Sequence, residues 1–383
     1  LQVCFYLVGG KGKTMKINYL DLPAQYQSIK TEIDQAIQAV LDKSAYVLGQ
    51  AVADFEGEFA NFCDVSYCAG VNSGTSALLL ALRALDIGPG DEVITAANTF
   101  VATAAAIVHA GAQPVLVDVD PVSRNIDPEL VSMAISSRTR AIIPVHLYGC
   151  PADMNSILKL AGRYGLSVIE DAAQAQGARY RGLRTGSMGH IAAFSFYPGK
   201  NLGAYGEAGA ITTDDQKLDE TVRMLRDHGS KQKYVHELLG YNARMEGIQG
   251  AVLNVKLRYL EKWNRERNRV AALYNQLLSD LPITLPNMAD DDIEQVFHVY
   301  VIETDRRDEL QAFLAKEGVP SLIHYPIPIH LQKAFDYLNY RKGEFPVTER
   351  LADQVLSLPI YPEITDEQVT FVAGKVKSFF GAH

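Results

Sequence analysis

Between Tyr26 and Leu41 the apolar side chains recur at 26, 29, 33, 37, 40 and 41, the spacing of one helical face, which predicts an amphipathic helix. Beyond it, short apolar runs alternate with helical stretches: 67–71 then 76–85, 92–95 then 101–110, 114–119 then 128–135, 141–147 then 154–164, and a last run at 166–169. Strands separated regularly by helices predict a parallel sheet covered on both faces. Punctuation agrees, with Gly88-Pro89-Gly90 and Gly111 placed to close helices and Asp127-Pro128 and Asp153 placed to start them. After Asp171 the rhythm gives way to a glycine-rich section, 177–210, holding two further strands at 191–196 and 208–212. A helix-rich stretch from 214 to 278, broken near Gly240, leads to Pro282, Pro286 and the acidic run Asp290-Asp291-Asp292, where a domain boundary is expected. The remainder is expected to hold a strand at 296–303, a helix at 305–317 and a closing helix. That last helix carries Val369, Val372, Val376 and Phe379 on one face, and Thr365 with Gln368 fits a capping box.

Composition narrows the class. Of 383 residues, 48% are hydrophobic and 21% charged, a balance that belongs to an ordered globular chain. This length exceeds one core and predicts two domains. The net charge of −9 argues against a nucleic-acid partner, which needs a basic surface to displace phosphate counterions. Cys4, Cys63, Cys68 and Cys150 form no C-x-x-C pair, so neither a disulfide framework nor a metal is expected, and a reducing cytoplasm is the simplest setting. The apolar start at 1–8 is too short for a membrane span, and no other stretch is long and apolar enough. Residues 1–14, upstream of Met15, read as an extension. Gly9-Gly10-Lys11-Gly12-Lys13-Thr14 resembles a phosphate loop only superficially, because Leu7 stands where its first glycine belongs.

In an open parallel sheet, ligands gather at the carboxyl ends of strands. Three strand ends carry distinctive chemistry. Asn72-Ser73-Gly74-Thr75-Ser76 opens a helix with free N–H groups, a glycine and hydroxyls, a combination suited to phosphate, although many ordinary helices begin the same way. Asp171, in Ile169-Glu170-Asp171-Ala172-Ala173-Gln174, is placed to receive a hydrogen bond from a protonated ring nitrogen, with Gln174 near enough to reach the same ligand. In Phe194-Ser195-Phe196-Tyr197-Pro198-Gly199-Lys200-Asn201 a strand runs into a turn that presents one lysine. A lone lysine is usually a solvated charge. This one lies between an apolar strand and a glycine-rich loop, where an amine can lose its proton and form an imine with an aldehyde. Each motif alone is weak. A phosphate cradle, an acid for a pyridinium nitrogen and an imine-forming lysine together are the three anchors of pyridoxal phosphate. Phe100 follows another strand end and is placed to stack on the ring, core packing being its default role.

These segments, with Ala97-Asn98-Thr99-Phe100 and Gly240-Tyr241-Asn242-Ala243-Arg244 in the same order, resemble the DegT/DnrJ/StrS family of sugar aminotransferases over about 18–380. The resemblance implies the type I fold of pyridoxal-phosphate enzymes: an α/β large domain with a mainly parallel seven-stranded sheet between helices, and a smaller C-terminal α+β domain. It divides the chain into an extension (1–17), a large domain with an N-terminal helical arm (18–280) and the small domain (281–383). Position by position, Lys200 resembles the Schiff-base lysine and Asp171 the pyridinium partner. Gln174 then contacts the ring hydroxyl, Phe100 stacks on the ring, and Gly74, Thr75 and Ser195 hold the phosphate. Asn242 resembles the residue that reaches the phosphate from a neighbouring subunit, which implies a homodimer with shared sites.

The resemblance further implies L-glutamate as donor and a nucleotide-linked keto sugar as acceptor, and Lys200, a histidine in dehydratase relatives, favours transamination. The segment Leu322-Ile323-His324-Tyr325-Pro326-Ile327-Pro328-Ile329-His330 resembles that of members aminating the third sugar carbon. His324 and Tyr325 are expected to bond sugar hydroxyls and Arg244 to meet the diphosphate or a sugar carboxylate. The rival readings are a 4-keto-sugar aminotransferase and a non-catalytic regulatory protein that binds the same cofactor. An NAD-binding protein is disfavoured because no G-x-G-x-x-G follows the first strand.

Overall fold

The computed structural model describes residues 15–288 and 292–381. The expectations for 1–14 and for Asp290-Asp291 lie outside them. The first expected helix is two, α1 (Leu22–Ser28) and α2 (Lys30–Lys43), broken where Ile29 leaves the helical region at φ −128. A third, α3 (Gln50–Cys63), was not anticipated by the strand-helix rhythm. It buries Val52, Phe55, Phe59 and Cys63 along one stripe.

The alternating region follows: β1 (Tyr67–Val71), α4 (Gly74–Ala84), β2 (Glu92–Ala96), α5 (Val101–His109), β3 (Gln113–Val117), α6 (Pro128–Ala134), β4 (Thr139–Ile143), α7 (Met154–Tyr164) and β5 (Ser167–Asp171). The expected helix starts hold. The carboxylate of Asp127 caps α6 ahead of Pro128, and that of Asp153 accepts the N–H of Ser156 at 3.2 Å to cap α7. Two-residue strands β6 (Arg179–Tyr180) and β7 (Leu183–Arg184) precede β8 (Ile191–Ser195) and β9 (Gly209–Thr213). Then come α8 (Gln216–Arg226), the hairpin β10 (Ser230–Gln232) and β11 (Val235–His236), α9 (Gly247–Leu257) and the long α10 (Leu260–Leu278).

Seven strands form one sheet in the order β1-β9-β8-β5-β4-β2-β3. β9 runs antiparallel to both of its neighbours, and the other pairings are parallel. Alternate residues feed opposite faces. Val93, Ala141, Ile143 and Ile169 pack with Leu78 and Ala81 of α4 and Ile107 of α5, whereas Ile94, Ile142 and Val168 pack with Val131 of α6 and Ile157 of α7. Both faces are therefore covered, and the strands' carboxyl ends remain as the open edge.

The C-terminal part contains β12 (Ile293–Glu294), β13 (Tyr300–Glu303), α11 (Arg307–Lys316), α12 (Pro346–Gln354), β14 (Val355–Leu358) and α13 (Asp366–Phe380). The strand expected at 296–303 is shorter, and its antiparallel partner β14 follows α12 without a linker. Side chains from Val299 into β13 alternate between two cores: Tyr300 and Ile302 join Tyr274 of α10 and Val372 of α13, while Val299 and Val301 join the cluster beneath the large sheet. The capping box of α13 is formed, with Gln368 N donating to Thr365 Oγ1 at 3.3 Å and Thr365 N donating to Gln368 Oε1 at 3.0 Å. No helix among the described residues is long and apolar enough to cross a membrane.

Candidate active site

The turn Asn72-Ser73 carries the chain from β1 into α4. Ser73 Oγ accepts the N–H of Ser76 at 3.1 Å, leaving the N–H groups of the helix's first residues, Gly74 and Thr75, directed beyond its end. A side chain at position 74 would meet Ser195, since a Cβ there would lie 2.6 Å from the Ser195 Cβ. The last residue of β8 is thus pressed against the start of α4, and only glycine permits this. Thr75 is exposed beside it. A helix N-terminus, a glycine and the hydroxyls of Thr75 and Ser195 are the groups that an anion site needs.

Asp171 ends β5 and is buried. Thr103 Oγ1 donates to its Oδ2 at 2.8 Å, and the Ala173 N–H donates to Oδ1 at 3.2 Å. Burial raises its pKa, and the two donors together with the Lys200 charge oppose that rise. Lys200 sits on the turn after β8, its N–H donating to Tyr197 O at 2.8 Å. The turn is pinned because Asn201 Nδ2 donates to Asn264 Oδ1 at 2.9 Å and to Val296 O at 2.8 Å. Burial lowers the lysine's pKa to about 8, against the pull of Asp171. At neutral pH an appreciable fraction is free amine, the form a nucleophile requires.

Across the cleft stand side chains from distant parts of the chain. Gln174 is buried, accepting the Tyr148 N–H at 2.8 Å through Oε1 and donating to the Tyr325 hydroxyl at 3.0 Å through Nε2. Phe100 caps α5, half its surface exposed, with its ring 5.6 Å from that of Tyr325. His324 lies beside them, its Nδ1 2.7 Å from Ser357 Oγ, and burial depresses its pKa to about 4. Charge coupling joins Lys200 to Asp171 and His324, and direct contacts join Gln174 and Phe100 to Tyr325, so the structure brings these six together, with Gly74 and Thr75 beside Ser195 at the end of β8. Asn242 and Arg244 lie beside the start of the cradle, where the Asn72 N–H donates to Ala243 O at 3.0 Å. On this segment Asn242 is exposed and Arg244 half-buried, with Arg244 Nη1 donating to Asp227 Oδ1 at 2.9 Å and Nη2 to Asn242 Oδ1 at 2.8 Å.

Three neighbours of the cleft escaped the sequence reading. Tyr148, at φ 61, follows the carboxyl end of β4, so the same strand-end rule would have found it. His298 Nε2 is 3.5 Å from Lys200 Nζ, yet the sequence offers only a histidine in an apolar run. Tyr19 places its ring 6.5 Å from that of His324, and nothing local in the sequence announces it.

Residues 27–377 match the model of the DegT/DnrJ/EryC1/StrS aminotransferase family. The chain belongs to this family. It is 47% identical over 373 residues, covering 97% of this chain and 98% of the relative, to dTDP-3-amino-3,4,6-trideoxy-alpha-D-glucose transaminase of Streptomyces venezuelae. It is 46% identical over 370 residues, 96% of this chain and 99% of the relative, to a protein of Geobacillus stearothermophilus named pleiotropic regulatory protein. Among solved structures, DesV of S. venezuelae, crystallised with a ketimine intermediate, superimposes with a TM-score of 0.94 at 47% identity over 96% of this chain and 99% of that one. As a DegT-family aminotransferase, the protein depends on pyridoxal phosphate. The residues present fit that group: the cradle closed by Gly74 and Ser195 suits a phosphate, and the buried Asp171 carboxylate and the Lys200 amine share the same cleft.

Proposed function

We propose that this aminotransferase moves the amino group of L-glutamate to the third carbon of a nucleotide-linked keto sugar, of the dTDP-3-keto-6-deoxyhexose type, in cytoplasmic amino-sugar biosynthesis. The observation that carries the reading is the pairing of an amine of lowered pKa, Lys200, with the buried carboxylate Asp171 at adjacent strand ends. Pyridoxal phosphate, when bound, supplies the electron sink for the carbanion. Asp171 keeps a proton on the ring nitrogen, and Lys200, as a free amine, moves the proton from the donor's α-carbon. Gly74, Thr75 and Ser195 would hold the phosphate, with Phe100 and Gln174 the side chains available to the ring and its hydroxyl.

His324 and Tyr325 meet the sugar hydroxyls, and the C-3 preference rests on the segment that carries them together with the transaminase relative of S. venezuelae. Arg244 meets the diphosphate and Asn242 completes the phosphate site of a partner, which makes the working unit a homodimer. Within each chain, 18–280 forms the large domain and 281–383 the small one, after an extension at 1–17. The regulatory reading is favoured by the name of the G. stearothermophilus relative. Turnover separates the two.

Borohydride reduction of the loaded protein followed by peptide mapping is expected to fix the cofactor on Lys200, and a label elsewhere refutes the site. Paired 3-keto and 4-keto nucleotide sugars are then offered with glutamate. Faster turnover of the 3-keto substrate is expected, preference for the 4-keto sugar overturns the regiochemistry, and no turnover with any keto sugar leaves the regulatory reading.

A further inference from the structure

Two histidines face Lys200, and their surroundings differ. His324 has its Nδ1 bonded to Ser357 Oγ at 2.7 Å. His298 turns Nε2 toward Lys200 Nζ at 3.5 Å, and its buried Nδ1 has no hydrogen-bond partner among the described residues. The backbone of His298 is held on both sides: its N–H donates to Tyr148 O at 2.9 Å, and its carbonyl accepts from Arg267 Nη1 at 3.2 Å. Arg267 also grips the carbonyls of Phe297 and Ile360, each at 3.1 Å, so the ring is delivered to the lysine by a fixed frame.

We propose that His298 is a positioning residue whose Nε2 receives the Lys200 amine whenever that amine is not bonded to the cofactor, keeping it within reach of the reacting carbon. This rests on Lys200 being the cofactor lysine. A lysine has many rotamers, and one released during the reaction must find the reacting carbon again, so a fixed acceptor beside it shortens that search. The imidazole suits the task because it stays neutral. Burial depresses its pKa well below the usual value, and the charges of Lys200 and Arg267 and nearby His324 add to this. A neutral imidazole beside an ammonium accepts through Nε2 and carries its own proton on Nδ1. The other titratable groups acting on the pair are Asp171 at the end of β5, Arg267 on α10 and His324.

The full chain loaded with pyridoxamine 5′-phosphate has a free Lys200 and a filled site. Competitive acetylation of Lys200 across pH, read by peptide mass spectrometry, gives the titration midpoint of that amine without reference to activity. Removing the acceptor in His298→Leu destabilises the ammonium, so the midpoint is expected to fall by about one pH unit, the weight of a hydrogen bond to a charged group. His298→Gln, which keeps an acceptor, is expected to stay near the wild type. If His298→Leu does not load the cofactor, His298→Asn, whose amide stops short of Nζ, replaces it with the same expected fall. An unmoved or raised midpoint in the variant lacking the acceptor overturns the proposal, as does an equal fall in His298→Gln. A borohydride label on another lysine removes the Lys200 assignment itself, whereas a label on Lys200 with an unmoved midpoint removes only His298.

Discussion

Lys256 is a second buried amine, and it holds backbone where Lys200 holds chemistry. From α9 its Nζ donates to Gly203 O at 2.5 Å and lies 4.9 Å from the ring centre of Tyr205, so it fastens the loop that follows Lys200. Burial lowers its pKa to about 7 from a model-peptide value of 10.5. Between those two values the unfolded chain binds a proton that the folded chain has released. Stability contributed by this group therefore increases as pH rises through the window and is lost as pH falls toward 7. In Lys256→Met the group is gone. The difference in unfolding free energy, wild type minus variant, is expected to grow from pH 7 to pH 9 by up to roughly 1.4 kcal/mol per pH unit. Urea unfolding of both proteins at the two pH values measures it, and a flat or falling difference contradicts a depressed Lys256.

At the scale of elements, the site depends on α4 and β8 meeting at Gly74. Because a Cβ there would stand 2.6 Å from the Ser195 Cβ, Gly74→Ala must push the helix start away from the strand end and open the cradle. Cofactor affinity is expected to fall at least tenfold, about 1.4 kcal/mol, while the apoprotein keeps its fold. Equilibrium dialysis with pyridoxal phosphate checks this, and unchanged affinity removes the cradle from the phosphate site. The strand-end motifs were legible because each is local: an apolar run, a turn and a helix start lie within about ten residues. The sheet rhythm, the start of α7 and the capping box of α13 were legible for the same reason. α3 was not read, since it begins after Gly49 at φ 84 without a capping side chain. Its stripe also contains Glu56, an acid whose burial makes sense only against Arg223 and Arg226 of α8, far away in sequence. β14 was hidden because α12 runs into it with no turn signal. His298 and Tyr19 reach the cleft through tertiary packing alone, which no local pattern records.

For the whole molecule the question is what one chain leaves incomplete. The chain carries −9, so attraction for an anionic substrate has to come from a few placed groups rather than from the overall charge. On the segment that follows the β10–β11 hairpin and is bridged to the end of β1, Asn242 is exposed and Arg244 half-buried, and Arg244 bonds Asp227 and Asn242. Near them Tyr234 and Leu239 are 82% and 96% exposed, apolar surface of the kind a second copy covers. If Asn242 serves the partner's site, Lys200→Ala and Asn242→Ala must each abolish activity alone and complement one another when mixed. In a mixed dimer one site lacks both residues, while the other combines an intact Lys200 from one chain with an intact Asn242 from the other. Random exchange makes about half of the dimers mixed, so roughly a quarter of wild-type activity is expected to return. Should Asn242 instead act within its own chain, each mixed dimer contains one site lacking the lysine and one lacking the asparagine, and nothing returns. Tagged chains, purified as mixed dimers and assayed with glutamate and the preferred keto sugar, separate these outcomes. Half the wild-type activity per dimer places the site between subunits, and none places it within one.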